Sequence, residues 1–154
     1  MRLALASDHA GYDLKVELAA VLAHAGHEVE DLGRHDREPS DYPDSAEAVG
    51  EALRSGRVER GIIVCGSGAG VSIAANKFPG IRAAVCHDCY TAHQAVEHDD
   101  MNVLCLGARV IGGALAIDLA CAFLAAKYAG DERFQRRLDK VLAIERRFTG
   151  GAVK

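Results

Sequence analysis

The chain has 154 residues, of which 49% are apolar and 26% charged, and its formal net charge is -4. We expect a single domain over residues 1–154, with a mobile tail over 149–154. The weakly acidic charge argues against a nucleic-acid or membrane partner. The chain begins without the apolar stretch of a signal peptide and has no run of 18 apolar residues, which predicts a cytoplasmic location.

Apolar runs with turn residues at both ends recur along the chain. Each run is typical of a strand that is buried on both faces of a sheet. The predicted strands cover 2–7, 28–33, 61–66, 82–87 and 102–107.

Helical patterns, several of them ended by glycine or proline, follow each predicted strand or lie between two strands. The predicted helices cover 13–25, 42–55, 70–77, 90–98, 112–128 and 131–148. The connections are long enough for helical crossovers, which favours an α/β fold: a Rossmann-like three-layer sandwich with a five-stranded parallel sheet, helices on both faces and an extra C-terminal helix. The apolar stripe of that last helix can pack on its own sheet or on a partner subunit.

The loops that follow the strands are the expected place for a ligand. Open parallel sheets bind ligands where their strands end, because helix N-termini present unpaired amides there. This rule selects the loops SDHAG, GRHDREPSDYP, CGSGAG, CHDCYTAH and GARVIGG.

The loop after the third strand carries glycine at alternate positions. It lacks the lysine of a Walker A loop, the last glycine of G-x-G-x-x-G and the first glycine of a nucleophile elbow. With few side chains in the way, the amides of Gly66, Ser67, Gly68, Ala69 and Gly70 can converge on an oxyanion. The alternative is a tight turn that needs glycine only for its backbone dihedral angles.

Cys65 ends the third predicted strand directly before that loop. Converging amides stabilise a thiolate, so Cys65 could act as a nucleophile or a base; the alternative is a cysteine packed in the core. The total of five cysteines is odd, which favours reduced thiols. Cys86 and Cys89 have the spacing of a redox or zinc pair, but no second pair completes a zinc site.

Further ionisable residues are expected to gather at the same end of the sheet. They are Asp8, His9, His98, Arg109, Arg133 and Arg137. A histidine with several arginines fits a phosphate dianion. Three alternatives stay open: Asp8 as a helix cap, His98 as a histidine favoured by a helix C-terminus, and the arginines of the last helix as a solvated basic face.

Several separated segments match one known family in order and at similar spacing. They are SDHAGYDLK at 7–15, DYP at 41–43, CGSGAGVSIAANKFPGIRAA at 65–84, EHDDMNVLCLGARVIG at 97–112 and RFQRRLDKVLAIE at 133–145. On these segments the sequence resembles the ribose 5-phosphate isomerase B family, which also includes the galactose 6-phosphate isomerase subunits.

The resemblance implies an enzyme that interconverts D-ribose 5-phosphate and D-ribulose 5-phosphate through an enediolate, in the non-oxidative branch of the pentose phosphate pathway, without metal or cofactor. It implies that Cys65 is the base, that Ser67 shuttles a proton and that His98 opens the sugar ring. It assigns substrate contacts to Asp8, His9, Tyr42, Gly66, Ser67, Gly68, Ala69, Gly70, Asp99, Arg109, Arg133 and Arg137.

The resemblance also implies a homodimer or a dimer of dimers with the active site between subunits. The segment that carries His98 and Arg109 would come from the neighbouring subunit. One residue departs from the family pattern, because Asp99 stands where asparagine is common, and a carboxylate cannot donate the hydrogen bond of an amide. The alternatives are another phosphorylated sugar such as galactose 6-phosphate or allose 6-phosphate, a non-catalytic phosphosugar-binding protein, or a thiol redox protein that uses Cys86 and Cys89.

Overall fold

The computed structural model describes residues 1–149 as an α/β sandwich built on one sheet. All five strands are parallel, in the order β2-β1-β3-β5-β4. The strands are β1 (Arg2–Ser7), β2 (Glu28–Asp31), β3 (Arg60–Cys65), β4 (Ala83–Val85) and β5 (Val103–Gly107). The predicted Rossmann-like fold with a five-stranded parallel sheet is therefore confirmed.

Helices cover both faces of the sheet. They are α1 (Tyr12–His24), α2 (Tyr42–Arg54), α3 (Ala69–Ala75), α4 (Cys89–Asp99), α5 (Gly113–Ala125) and α6 (Glu132–Thr149). One core contains side chains of α1, α4 and α5, including Leu18 and Phe123, and the other contains side chains of α2 and α3, including Val49. The central strand β3 contributes Ile62 to the first core and Ile63 to the second, so it is buried on both faces as its apolar run predicts.

Several elements are shorter than predicted, most clearly β2, β4 and α5. The strand β4 covers only Ala83–Val85 of the predicted 82–87. The strand β2 ends at Asp31 rather than at residue 33, and the Asp31 carboxylate binds Lys15 there. The helix α5 ends at Ala125 rather than at residue 128, because the guanidinium group of Arg60 donates hydrogen bonds to the carbonyl groups of Phe123 and Ala126. Side-chain donors that come from another element thus set this helix end.

The last helix, α6, is only partly covered. Phe134 and Leu138 in its first half are buried, whereas Val141, Ile144 and Phe148 in its second half are exposed. A groove of about 920 Å³ runs between this second half and the segment from residue 76 to residue 84. The predicted tail over 149–154 begins with Thr149, which ends α6, and its remaining residues lie outside the described part of the chain.

The two ends of the sheet carry different residues. At the carboxyl end, where the strands finish, Cys65 of β3 pairs with Gly107 of β5. At the amino end, the Gly61 N–H donates a hydrogen bond to the Asn102 carbonyl oxygen (2.9 Å). A strand as long as β3 separates these two ends by about 16 Å.

Candidate active site

The loop from Cys65 to Gly70 forms a tight turn at the carboxyl end of β3. Gly68 has φ +82°, a conformation that favours glycine, and a Cβ atom there would lie 3.1 Å from the Leu106 carbonyl carbon and from the Val85 side chain. The turn therefore needs a glycine at position 68 for its conformation and its close packing, which supports the tight-turn interpretation.

The same turn brings backbone amides to polar side-chain atoms. The Gly68 N–H donates a hydrogen bond to the Cys65 sulfur (3.1 Å), and the Ala69 N–H donates to the Ser67 hydroxyl oxygen (3.3 Å). A backbone donor aimed at sulfur stabilises negative charge on it. Cys65 is 4% exposed, so it is packed against the core and still hydrogen-bonded by the loop. The position of Cys65 thus combines the burial expected of a core cysteine with the amide contact expected of a nucleophile or base.

Asp8 and His9 lie beside the end of β3. The Asp8 N–H donates to the Val64 carbonyl oxygen (3.3 Å), and the Asp8 carboxylate accepts from the Gly11 N–H (3.0 Å), capping a short 3-10 turn over His9–Gly11 that precedes α1. The capping role considered for Asp8 is therefore present. Gly11 fits so closely that a Cβ atom would lie 2.4 Å from the Val64 carbonyl oxygen.

Arg109 and Tyr42 complete the group at the carboxyl end. The Arg109 N–H donates to the Gly66 carbonyl oxygen (3.0 Å), and a Cβ atom on Gly66 would lie 3.6 to 3.7 Å from the Arg109 side chain. The Tyr42 ring at the start of α2 packs against Gly70, since a Cβ atom there would lie 3.0 to 3.1 Å from it. These two residues therefore line the glycine loop of their own chain.

His98 lies at the other end of the molecule. It is in the last turn of α4, its Nδ1 atom lies 2.6 Å from the Gln94 amide nitrogen, and its ring stacks on Phe134 of α6 (centroids 4.0 Å apart). The Arg133 guanidinium group lies over the Phe134 ring, 4.3 Å from its centroid. Arg137 follows one turn later on α6.

Within the described chain, the predicted site residues therefore fall into two groups. The expectation that His98, Arg133 and Arg137 share one end of the sheet with Cys65 is wrong for a single chain, because α4 begins at the carboxyl end and runs to the amino end. Arg109 lies against Gly66 of its own chain, whereas the resemblance implies that the neighbouring subunit supplies it.

Asp99 and Asp100 differ in their surroundings. The Arg82 guanidinium group binds both the Asp100 carboxylate (2.6 Å) and the Asp100 carbonyl oxygen (2.6 Å), and Asp100 adopts φ +53°. Asp99 is exposed and lines the groove beside α6. Of the two carboxylates, Asp99 is the one that faces the groove.

Sequence reasoning missed His87 at the carboxyl end. Its Nε2 atom accepts a hydrogen bond from the Gly107 N–H (3.1 Å), and Gly107 in turn packs against the Ser67 backbone. His87 therefore joins the end of β4 to the end of β5 beside the glycine loop. Its place directly after a predicted strand, in the loop CHDCYTAH, was the signal that could have found it.

The other cysteines do not share the surroundings of Cys65. Burial raises the pKa of the Cys86 thiol to about 11, and burial also raises the pKa of Cys105. A redox C-x-x-C pair needs a thiol with a lowered pKa, so the surroundings of Cys86 argue against the redox alternative for Cys86 and Cys89.

Residues 1–149 contain no group of three or more histidine, cysteine, aspartate or glutamate side chains placed to hold a metal ion. In the same range, none of the helices combines the length and the apolar character that crossing a membrane requires.

Comparison with known proteins gives consistent matches over the chain. The family model described as Ribose/Galactose Isomerase matches residues 3–141. Ribose-5-phosphate isomerase B of Escherichia coli is 46% identical over 146 residues, which cover 95% of this chain and 97% of that protein. The 4-deoxy-4-sulfo-D-erythrose isomerase of Clostridium sp. is 38% identical over 125 residues, 80% of this chain and 79% of that protein. The structure of Clostridium thermocellum Ribose-5-Phosphate Isomerase B is 48% identical, with a TM-score of 0.94 over 96% of this chain and 99% of that chain.

The fold and these relatives together define the chain as a sugar-phosphate isomerase, and therefore as an enzyme. It belongs to the Ribose/Galactose Isomerase family. The predicted family, fold and enzyme class are thereby confirmed.

Proposed function

We propose that the chain, acting as one domain over residues 1–154, interconverts D-ribose 5-phosphate and D-ribulose 5-phosphate. The observation that carries the proposal is the Cys65 thiol at the carboxyl end of β3, hydrogen-bonded by the Gly68 amide. The relatives support the same substrate, because one of those most similar to this chain is a ribose-5-phosphate isomerase B. The proposal includes a cytoplasmic location and a place in the non-oxidative branch of the pentose phosphate pathway.

In the proposed reaction, Cys65 is the base that moves a carbon-bound proton. The thiolate takes the proton from C2 of the open-chain aldose, and the electron pair of that bond forms a double bond between C1 and C2 while negative charge moves to O1. Ser67 moves the O2 proton to O1, and the Cys65 thiol then returns its proton to C1 as the C2 carbonyl forms. Every proton and electron pair stays on substrate or enzyme, so no metal or cofactor enters the proposal.

The glycine loop stabilises the enediolate in this proposal. Two of its amides already have partners, Gly68 with the Cys65 sulfur and Ala69 with the Ser67 hydroxyl. The amides of Gly66, Ser67 and Gly70 are then the donors assigned to the substrate oxygens. Asp8 and Tyr42, which border the loop, contact sugar hydroxyl groups.

The phosphate group is assigned first to His9 and Arg109, which lie near the loop at the carboxyl end of the sheet. Binding energy from a phosphate that does not react can orient a flexible open-chain sugar over Cys65. Arg109 suits this role because its guanidinium group can donate two parallel hydrogen bonds to phosphate oxygens.

The remaining assigned residues come from a second copy of the chain in this proposal. His98 opens the furanose ring, Asp99 contacts a sugar hydroxyl group, and Arg133 and Arg137 add charge at the phosphate. The separation of about 16 Å between the two ends of β3 supports this arrangement, because a pentose phosphate cannot contact both groups within one chain. A homodimer, or a dimer of dimers, places both groups at one site.

The groove beside α6 is the surface assigned to this contact. Val141, Ile144 and Phe148 present apolar side chains on a helix whose other face packs on α4. Exposed apolar side chains of this size on one helix face are typical of an interface. The resulting interface places Asp99, at the rim of the groove, next to a neighbouring subunit.

The test is a coupled assay of the wild-type chain and Cys65→Ala on a panel of pentose and hexose phosphates. We expect wild-type activity to be highest on ribose 5-phosphate, and Cys65→Ala to reduce kcat by at least about 100-fold, the lower end of general-base contributions. Exchange of the C2 proton with solvent should be lost in parallel, while binding of a phosphorylated inhibitor remains. Cys121→Ala is the matched control, since Cys121 is an exposed cysteine on the outer surface of α5.

Full activity of Cys65→Ala would overturn the role of the thiol as base. Higher wild-type activity on galactose 6-phosphate or allose 6-phosphate would overturn the substrate assignment but not the class of reaction. The carboxylate of Asp99 gives that outcome a physical basis, because it can accept but not donate a hydrogen bond at the contacted hydroxyl. Binding without turnover on the whole panel would favour the non-catalytic alternative.

A further inference from the structure

Lys15 has no solvent-exposed surface, and the proposed reaction does not use it. It lies on α1, and a buried ammonium group is costly unless it is paired and fully hydrogen-bonded. Its Nζ atom donates to both carboxylate oxygens of Asp31 (2.6 and 2.7 Å) and to the Arg34 carbonyl oxygen (2.6 Å). All three N–H donors of the ammonium group therefore have partners.

These partners fix the beginning of the loop from residue 32 to residue 41. Asp31 ends β2, and Arg34 lies three residues further along the loop. The loop is also joined to the end of β1, where the Arg34 N–H donates to the Ser7 carbonyl oxygen (3.2 Å). Gly33 packs so closely there that a Cβ atom would lie 2.3 Å from the Ser7 nitrogen. The loop therefore starts from a fixed point directly beside Asp8.

The other end of the loop holds the His9 ring through Ser40. The His9 N–H donates to the Ser40 hydroxyl oxygen (3.0 Å), and the Nδ1 atom of His9 lies 3.2 Å from the Ser40 nitrogen and 3.3 Å from the Ser40 carbonyl oxygen. The Ser40 backbone can thus donate to an unprotonated Nδ1 atom or accept from a protonated one. Nε2 is left for a ligand in both states.

We propose that Lys15 is a positioning residue for phosphate binding: by anchoring the loop from 32 to 41, it holds Ser40 and thereby the His9 ring. The ligand class is the phosphate ester of the substrate. The inference rests on the proposed function, which assigns the phosphate to His9.

The experiment compares Lys15→Met and Asp31→Asn with wild type. Methionine keeps the unbranched length of lysine without its charge, and asparagine keeps one acceptor for Lys15. We expect the Kd for inorganic phosphate, measured by calorimetry, to rise about 10-fold in Lys15→Met and less in Asp31→Asn. The KM for ribose 5-phosphate should rise in the same proportion, with kcat changed less than about 3-fold. The ring ¹⁵N shifts of His9 should change in both variants.

Glu30→Gln is the matched control. Glu30 precedes Asp31 in β2 and is also a paired carboxylate, but its ion-pair partner is Arg57, which lies outside the loop from 32 to 41. We expect its phosphate affinity, KM and His9 ring shifts to equal those of wild type. If Glu30→Gln loses as much phosphate affinity as Asp31→Asn, the loss comes from general destabilisation of β2, and the positioning role is overturned.

His9→Ala separates failure of this inference from failure of the proposed function. If His9→Ala leaves phosphate affinity unchanged, the phosphate assignment in the proposed function is wrong, and the role of Lys15 is overturned with it. If His9→Ala weakens phosphate binding but folded Lys15→Met and Asp31→Asn do not, the positioning role alone is overturned. Should Lys15→Met fail to fold, Asp31→Asn together with Ser40→Ala, which removes only the hydroxyl contact to His9, decides the outcome.

Discussion

At the scale of single residues, Arg109 lies beside the glycine loop of its own chain. Its side chain lies against Gly66, so its positive charge is close to the amides of the glycine loop. We expect Arg109→Ala to lower kcat/KM for a phosphorylated substrate by about 10- to 100-fold, since a charge-assisted contact contributes about 1.5 to 3 kcal/mol. Steady-state kinetics with inorganic phosphate as competitive inhibitor measure this.

Arg57→Ala is the control for Arg109→Ala, because Arg57 pairs with Glu30 on an exposed surface. An inhibition constant for inorganic phosphate that is the same in Arg109→Ala and wild type would contradict the phosphate role of Arg109.

Sequence patterns predicted Cys65, Arg109 and the glycine loop because each lies at or just after the carboxyl end of a strand. The end of an apolar run marks the end of a buried strand in the sequence. They did not predict Ser40 or His87 as partners. Ser40 meets His9 only because a loop of ten residues folds back onto β1, and no local pattern encodes that approach. Contacts between elements distant in sequence are set by packing of the whole fold.

At the scale of elements, the turn between β3 and α3 depends on Gly68. We expect Gly68→Ala to lower the free energy of unfolding by about 1 to 3 kcal/mol, because a Cβ atom is strained at φ +82° and presses on the end of β5. It should also reduce kcat, since the amide moves away from the Cys65 sulfur. Urea unfolding and steady-state kinetics measure the two effects.

Gly26→Ala separates backbone strain from contact in this experiment. Gly26 follows α1 at φ +88°, where a Cβ atom would have no neighbour within 4 Å. We expect it to lose about 1 kcal/mol of stability with kcat unchanged. Equal kcat in Gly68→Ala and wild type would mean that the amide contact to sulfur has no part in catalysis.

The sequence also predicted the strands and helices. Buried parallel strands appear in it as apolar runs, and glycine follows several of the helices. It did not predict where α5 stops. That end is set by the Arg60 guanidinium group, which reaches from β3 to the last carbonyl groups of the helix. Nor did it predict that α4 carries His98 away from the carboxyl end, although the direction of a crossover helix follows from the parallel sheet.

At the scale of the whole molecule, the separation of Cys65 from His98 has a consequence that mixing experiments can measure. If each site takes Cys65 from one chain and His98 from another, Cys65→Ala and His98→Asn each inactivate both sites of a homodimer. A dimer formed from one chain of each variant contains one site that lacks both groups and one intact site. Random mixing makes half of all dimers of this kind, so we expect about a quarter of wild-type specific activity after co-refolding or co-expression.

Mixing either variant with the double variant Cys65→Ala/His98→Asn is the control, because no pairing then restores an intact site. If each site lies within one chain, neither mixture regains activity, and the proposed composition of the site is wrong. If activity is recovered only when Cys65→Ala is mixed with His98→Asn, the carboxyl end of the sheet in one chain must meet the end of α4 in another chain. In the proposed interface, the exposed apolar half of α6 forms that contact. We therefore expect Phe148→Glu in both chains to abolish the recovery together with dimerisation, measured by sedimentation.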